Sequence, residues 1–313
     1  MPQHCKICAR DLRYMHSRLR GSIVPLVTPF TRDGEVDEEA LRSLIRFQMK
    51  SGSHGISVAG TTGEPSSLTH AERERLFQIA VEEAHGKIPV VAGTGTNNLQ
   101  ETLRFTRAAE KAGVDAVLVI VPYYIRPSQH GLFEYFSAVA SSTSLPLIIY
   151  NIPGRTACNI EPATVWKLRQ KHDNIVGIKE SNRDLDQVSN LLLMDSELLV
   201  YCGIESLCFP MLALGGAGHF SATANILPAE VAALYNLVQE GKWEEARKMH
   251  YRLLKISEAI FWETNPVPLK AALGMMGLIT PTVRLPLAPL SEEKREALRM
   301  LLTEYGIRVG GIT

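Results

Sequence analysis

Eight short apolar, β-branched runs stand along the chain, an amphipathic segment follows each, and the glycine fingerprint of open nucleotide-binding sheets is missing. Together these predict an α/β protein: a (β/α)8 TIM barrel with a C-terminal helical extension. Near-continuous apolar runs suit parallel strands that helices cover on the outer face. The strands are expected at "SIVPLVTPF" (22–30), "GISVAG" (55–60), "IPVVAGTG" (88–95), "AVLVIVPYY" (116–124), "LPLIIYNI" (145–152), "IVGIKES" (175–181), "LLVYCGI" (198–204) and "GHFSATANI" (218–226). "GTGTNN" after the third run is only a partial match to the open-sheet fingerprint.

The helices between them carry their own signals. In "VDEEALRSLIRFQMKSG", Leu41, Leu44, Ile45 and Met49 share one face. Asp37, Glu38 and Glu39 open it, where acids suit the helix dipole, and Gly52 follows its end. "HAERERLFQIAVEEAHG" and "NLQETLRFTRAAEKAG" repeat the pattern. Past Gly241 strand signals stop. "KWEEARKMHYRLLKISEAIFWE", "NPVPLKAALGMMG" and "SEEKREALRMLLTEYG" read as three helices packed beside the barrel. The expected division is a loosely ordered basic tail over 1–20, the barrel over 21–241 and the helical region over 242–313.

Composition narrows the function. The 313 residues hold 33 Lys+Arg and 33 Asp+Glu, which points to neither nucleic acid nor a membrane surface as a partner. No apolar run approaches the ~20 residues a membrane helix needs. Five cysteines argue against a disulfide framework and for a reducing, cytoplasmic setting. The N-terminus lacks the apolar stretch of a secretory signal. Its Cys5-x-x-Cys8 pair is a weak metal or redox signal. No HxH, HExxH or GxSxG spacing occurs, so metal sites and serine nucleophiles are not expected.

In such barrels chemistry gathers where the strands end. There stand "GTTGE" (60–64), "PYYIRPS" (122–128), "YNIPGRT" (150–156), Lys179, "CGIE" (202–205) and "SATAN" (221–225). Side-chain alternation sets Ile175, Gly177 and Lys179 on one face, Ser57, Ala59 and Thr61 on another, and Ile148 with Tyr150. Inward-pointing faces bring Lys179, Thr61 and Tyr150 to one mouth, with Gly177 leaving room for the lysine stem. A desolvated lysine attacks a ketone as the free amine, and the imine is an electron sink. Tyr and Thr hydroxyls can relay the protons. Against this stand plainer roles. Most lysines are solvated, Thr61 and Thr62 also suit a tight turn, strand tyrosines are often half-buried fillers, and an arginine in a Pro-Gly turn is usually solvated. Cys202 and Cys208 read as core fillers.

The motifs "GTTGE", "PYYIRPSQ", "YNIPGRT", "GIKES", "NPVPLK" and "RLPLAPL", in this order, resemble those of the dihydrodipicolinate synthase family. That family lies in the superfamily of class I pyruvate aldolases that includes N-acetylneuraminate lyase. The resemblance runs from about Gly21 to about Tyr305. It implies a cytoplasmic lyase of lysine and diaminopimelate biosynthesis, a homotetramer built as a dimer of dimers. Such an enzyme condenses pyruvate with L-aspartate 4-semialdehyde to 4-hydroxy-tetrahydrodipicolinate and needs no cofactor beyond the covalent imine. Lys179 matches the imine-forming lysine. Thr61, Tyr150 and Tyr124 match the proton relay, with Tyr124 reaching into the neighbouring subunit. Thr61 and Thr62 match the turn that holds the pyruvate carboxylate. Arg155 matches the carboxylate-binding arginine of the aldehyde site, and Gly203 a site glycine. Phe220 stands where many members carry a small aliphatic residue and would reshape the aldehyde pocket. His70, Asn97, Glu101 and Tyr123 match a lysine-inhibition pocket, from which Pro65 and Arg73 depart. The rival functions are another pyruvate aldolase or dehydratase acting on a sugar acid or 4-hydroxy-2-oxo acid, and a non-catalytic 2-oxo-acid-binding paralogue.

Overall fold

In the computed structural model, which describes residues 17–310, eight parallel strands close a barrel in sequence order. They are β1 (Gly21–Pro25), β2 (Gly55–Val58), β3 (Val90–Gly93), β4 (Ala116–Ile120), β5 (Leu147–Asn151), β6 (Ile175–Glu180), β7 (Leu199–Cys202) and β8 (Gly218–Phe220). Each starts within two residues of its expected place, but most stop earlier. Their C-terminal parts become turns at the mouth: "SATAN" is a helical turn over Ala222–Asn225, not strand.

The covering helices are α1 (Glu38–Lys50), α2 (His70–Ala84), α3 (Leu99–Ala112), α4 (Gln129–Ala140), α5 (Pro162–Lys171), α6 (Leu185–Met194), α7 (Cys208–Ala213) and α8 (Pro228–Gln239). Several of their starts are capped by local side chains. Asp37 accepts from the Ala40 N–H, Asn98 from Glu101, and Thr69 with Glu72 forms a capping box. Leu41, Leu44 and Ile45 of α1 are buried as the periodicity predicts. Three more helices follow, α9 (Trp243–Ala259), α10 (Val267–Met275) and α11 (Glu292–Glu304).

Two apolar layers result. One lies between strands and helices, and a smaller one fills the barrel's interior. Leu19 plugs the N-terminal end of that interior: it is fully buried, and its carbonyl accepts from Tyr201 Oη at 2.8 Å. Burying such a side chain is worth about 2 kcal/mol. Leu19 therefore belongs to the barrel's packing, although it precedes the expected barrel boundary at 21. Cys5 and Cys8 lie outside the described residues.

The simple alternation fails at two strands. In β6, Leu147 pairs with Ile175 while Ile148 pairs with Gly177, so Val176 is an extra residue in the ladder. Ile175 consequently faces the helices and Val176 the interior. Just after β2, Ala59 adopts φ 53 and joins the outer layer, so the turn, not the strand, aims Thr61. Among the described residues no helix is long and apolar enough to cross a membrane.

Candidate active site

A cavity of about 570 Å³ opens at the C-terminal end of the barrel. Thr61, Tyr150 and Arg155 line it, as do His70, Glu101 and Tyr123. Tyr150 and Lys179 are direct partners in the β5–β6 ladder, so their side chains leave the sheet on the same face. Lys179 is 5 % exposed. It contributes no wall of its own; its Nζ stands 4.0 Å from the Tyr150 ring centroid and 5.2 Å from that of Phe220. A reactant therefore meets the amine alongside Tyr150.

The Tyr150 side chain is 5 % exposed, and burial alone would raise its pKa. The Lys179 charge, hydrogen bonds from Thr61 and Lys179, and the Arg155 charge outweigh burial and hold it below its ordinary value. A phenol in that state passes protons to and from the neighbouring amine more readily. Arg155 sits exposed at the cavity edge, in the single helical turn Pro153–Thr156.

Gly203 gives the lysine its room. A Cβ there would lie 2.9 Å from Lys179 Cε and 2.0 Å from Ser181 Oγ. Gly177 does not do this: a Cβ there would meet the Leu199 carbonyl at 2.5 Å and the Tyr201 ring. Glu205, half-buried, accepts from Ser221 Oγ and the Ala222 N–H, both at 2.6 Å, and so ties the end of β7 to the turn after β8. Burial pushes its carboxyl pKa up despite these bonds. Glu180, next to the lysine, points away and is saturated by Asn151, Gln187 and the Asn182 N–H. Cys202 and Cys208 are buried thiols near the Ile204 carbonyl, as core residues should be.

The turn "TTG" is held from three directions. Thr28 Oγ1 donates to the Gly63 carbonyl at 2.7 Å. Asn265 Nδ2 donates to Thr62 Oγ1 at 3.0 Å. Glu64, in a left-handed conformation with φ 52, is ion-paired to Lys270 and accepts from the Arg284 N–H at 3.2 Å. Arg284 in turn grips Glu72 and the Gly34 and Ser67 carbonyls. Its hydrogen bonds bring the Glu72 carboxyl down to about 2. None of Asn265, Lys270 and Arg284 was assigned a role by its sequence context. The signal was present in "NPVPLK" and "RLPLAPL", two motifs with no chemistry of their own.

Within the same lining His70 Nε2 lies 3.1 Å from Glu101 Oε1. Arg73 is buried there over the Phe105 ring and donates to the Gly93 carbonyl at 2.6 and 3.1 Å. Desolvation brings its pKa down to about 10. Asn97 is half-buried and does not line the cavity. Thr62, Gly203 and Phe220 are not among the lining residues either; Thr62 and Phe220 are each 3 % exposed. Tyr124 is 88 % exposed with φ 74 and is not brought to the cavity of its own chain.

Comparisons with known proteins agree with this geometry. The profile of the dihydrodipicolinate synthetase family matches residues 18–305. The 4-hydroxy-tetrahydrodipicolinate synthase of Thermus thermophilus is 49 % identical over 290 residues, covering 92 % of this chain and 97 % of that protein. The crystal structure of dihydrodipicolinate synthase from Aquifex aeolicus superposes with a TM-score of 0.92 at 42 % identity, covering 94 % of this chain and all of that one. That of the Acinetobacter baumannii enzyme, a complex with pyruvate, does so at 0.90 and 37 %, covering 92 % and 99 %. With the family profile spanning nearly the whole barrel and the helices behind it, this chain belongs to the dihydrodipicolinate synthetase family.

Proposed function

We propose that this chain is a lyase that condenses pyruvate with L-aspartate 4-semialdehyde to 4-hydroxy-tetrahydrodipicolinate. One observation carries the reading: a buried lysine amine, a phenol and a guanidinium meet at one barrel mouth, in a chain with close relatives named for that synthase.

The Lys179 amine attacks the pyruvate ketone, and water leaves as the imine forms. Tyr150 takes up and returns the protons, with Thr61 next in the relay. The imine draws electrons from the neighbouring methyl carbon, which loses a proton and becomes an enamine. That carbon then attacks the aldehyde. Thr61 and Thr62 hold the pyruvate carboxylate, and Arg155 receives the carboxylate of the aldehyde substrate as a forked donor. No cofactor takes part beyond the covalent imine.

Tyr124 fits a role across an interface. Its ring is exposed, its backbone is left-handed, and Ile125 beside it is exposed too. In this reading a second copy supplies Tyr124 to the relay, and two such dimers form a tetramer in the cytoplasm. The His70, Glu101 and Tyr123 side of the cavity is a regulatory pocket, in which the Arg73 cation opposes a cationic ligand such as lysine; Asn97 lies outside its lining.

Incubation with pyruvate and borohydride should leave a stable adduct on the Lys179 peptide, read by mass spectrometry. An unmodified peptide would overturn the mechanism. Arg155→Ala should lower turnover with aspartate semialdehyde by about 100-fold, the scale of a lost charged hydrogen-bond pair, and leave adduct formation intact. Equal loss with every aldehyde tested would point to a different second substrate.

A further inference from the structure

"NPVPLK" is absent from the chemistry just described, yet its first residue reaches the site. Asn265 lines the cavity, is 7 % exposed, and donates from Nδ2 to Thr62 Oγ1 at 3.0 Å. Thr62 is itself 3 % exposed. A hydroxyl has one proton to give, whereas an amide nitrogen only donates. In this contact the Thr62 oxygen is therefore the acceptor, and its proton remains available to another group. The turn cannot shift to change that arrangement, because Thr28 fixes Gly63 while Lys270 and Arg284 fix Glu64.

We propose that Asn265 is a positioning residue for the carboxylate of the 2-oxo acid: by donating to Thr62 it commits the Thr62 proton to that carboxylate. The proposal rests on the reading of this cavity as a pyruvate site. It explains why an amide stands here in a cavity that handles acids. A carboxylate of the same shape would accept the Thr62 proton, reverse the polarity of the contact and set a negative charge beside an anion.

The test uses the full-length enzyme and borohydride trapping on Lys179, with no aldehyde present. The trapping rate against pyruvate concentration reports pyruvate affinity alone. Asn265→Asp should weaken that affinity about 100-fold near pH 8, on the scale of a charged hydrogen bond reversed. As pH falls and the introduced carboxyl takes up a proton, it becomes a donor again. The ratio of variant to wild-type affinity should then recover about 10-fold. A ratio that does not change with pH, or a wild-type affinity at every pH, overturns the proposal, since a role in packing alone would not titrate. Asn265→Ala gives a second reading through a cycle with Thr62→Val. Alone it should weaken pyruvate about 10-fold; in the Thr62→Val background it should add less than about 2-fold. Full additivity overturns the idea that Asn265 acts through Thr62. Absence of any adduct in the wild-type enzyme is a different failure, that of the pyruvate reading itself.

Discussion

Two lysines are buried at the mouth of this barrel, and their surroundings differ in one decisive way. Lys270 is fully buried, ion-paired to Glu64, bonded to the Thr282 carbonyl at 2.8 Å and set over the Phe30 ring. Lys179 is almost as deep, but the described residues offer it no carboxylate at ion-pair distance, only the faces of Tyr150 and Phe220 and the Tyr150 hydroxyl. Burial pulls the pKa of Lys270 down to about 8 even with Glu64 beside it. A buried ammonium with a full set of partners is a structural clamp. A buried amine that faces a phenol and a glycine, with no carboxylate to clamp it among the described residues, is free to meet a reactant.

The sharpest way to break this contrast is to remove each amine in turn. Lys179→Met should lower turnover by roughly 10⁴-fold or more, as loss of a nucleophile does, with the melting temperature unchanged or raised. Lys270→Met should do the opposite first. It leaves Glu64 buried and unpaired, at a cost of about 3–5 kcal/mol, read by denaturant unfolding. Loss of pyruvate affinity should follow from the released turn. Equal stability of the two variants would show that the two sites are not different in kind.

Gly203→Ala tests the other half of the contrast. The added Cβ meets Lys179 Cε at 2.9 Å and must push the lysine stem. Adduct formation should slow by about 10- to 100-fold, the range for an ångström-scale misplacement, while pyruvate still protects the enzyme on heating. Gly177→Ala should instead cost stability, since its clash is with the Leu199 backbone.

The smallest effect concerns a third buried base. His219 in β8 is fully buried and, through desolvation first and His54 second, its pKa is brought down to about 3. The unfolded chain takes up a proton below about 6.5, and the folded chain does not until near 3. Stability should therefore fall as pH drops through that window, by at most about 1.4 kcal/mol per pH unit. His219→Gln should flatten that slope, measured as the unfolding midpoint against pH.

The eight strands were legible because a parallel strand covered on both faces needs apolar residues throughout, and such runs stand out between helices. Lys179, Tyr150, Thr61 and Arg155 were legible because barrel chemistry gathers at strand ends. What escaped has a common cause. The extra residue at Val176 is invisible to a period of two, so Ile175 was expected on the wrong face. The glycine that makes room for the lysine lies on the neighbouring strand at 203, not one layer below at 177. Asn265, Lys270 and Arg284 act on partners some two hundred positions away, and no local pattern encodes such a contact. Leu19 looked like part of a tail because burial by a barrel floor leaves no periodicity in four residues.

The contact between Thr62 and Asn265 also sets an order of assembly. All eight strands, with Lys179 on β6 and Arg155 in the turn after β5, precede Asn265 in the chain and are made before it. Until α10 docks, a nascent barrel carries its amine but not the finished grip on a substrate acid. Contacts this distant in sequence also form late in folding. The C-terminal helices thus complete the turn: the last of its three supports is in place only once the segment after β8 has packed against the barrel.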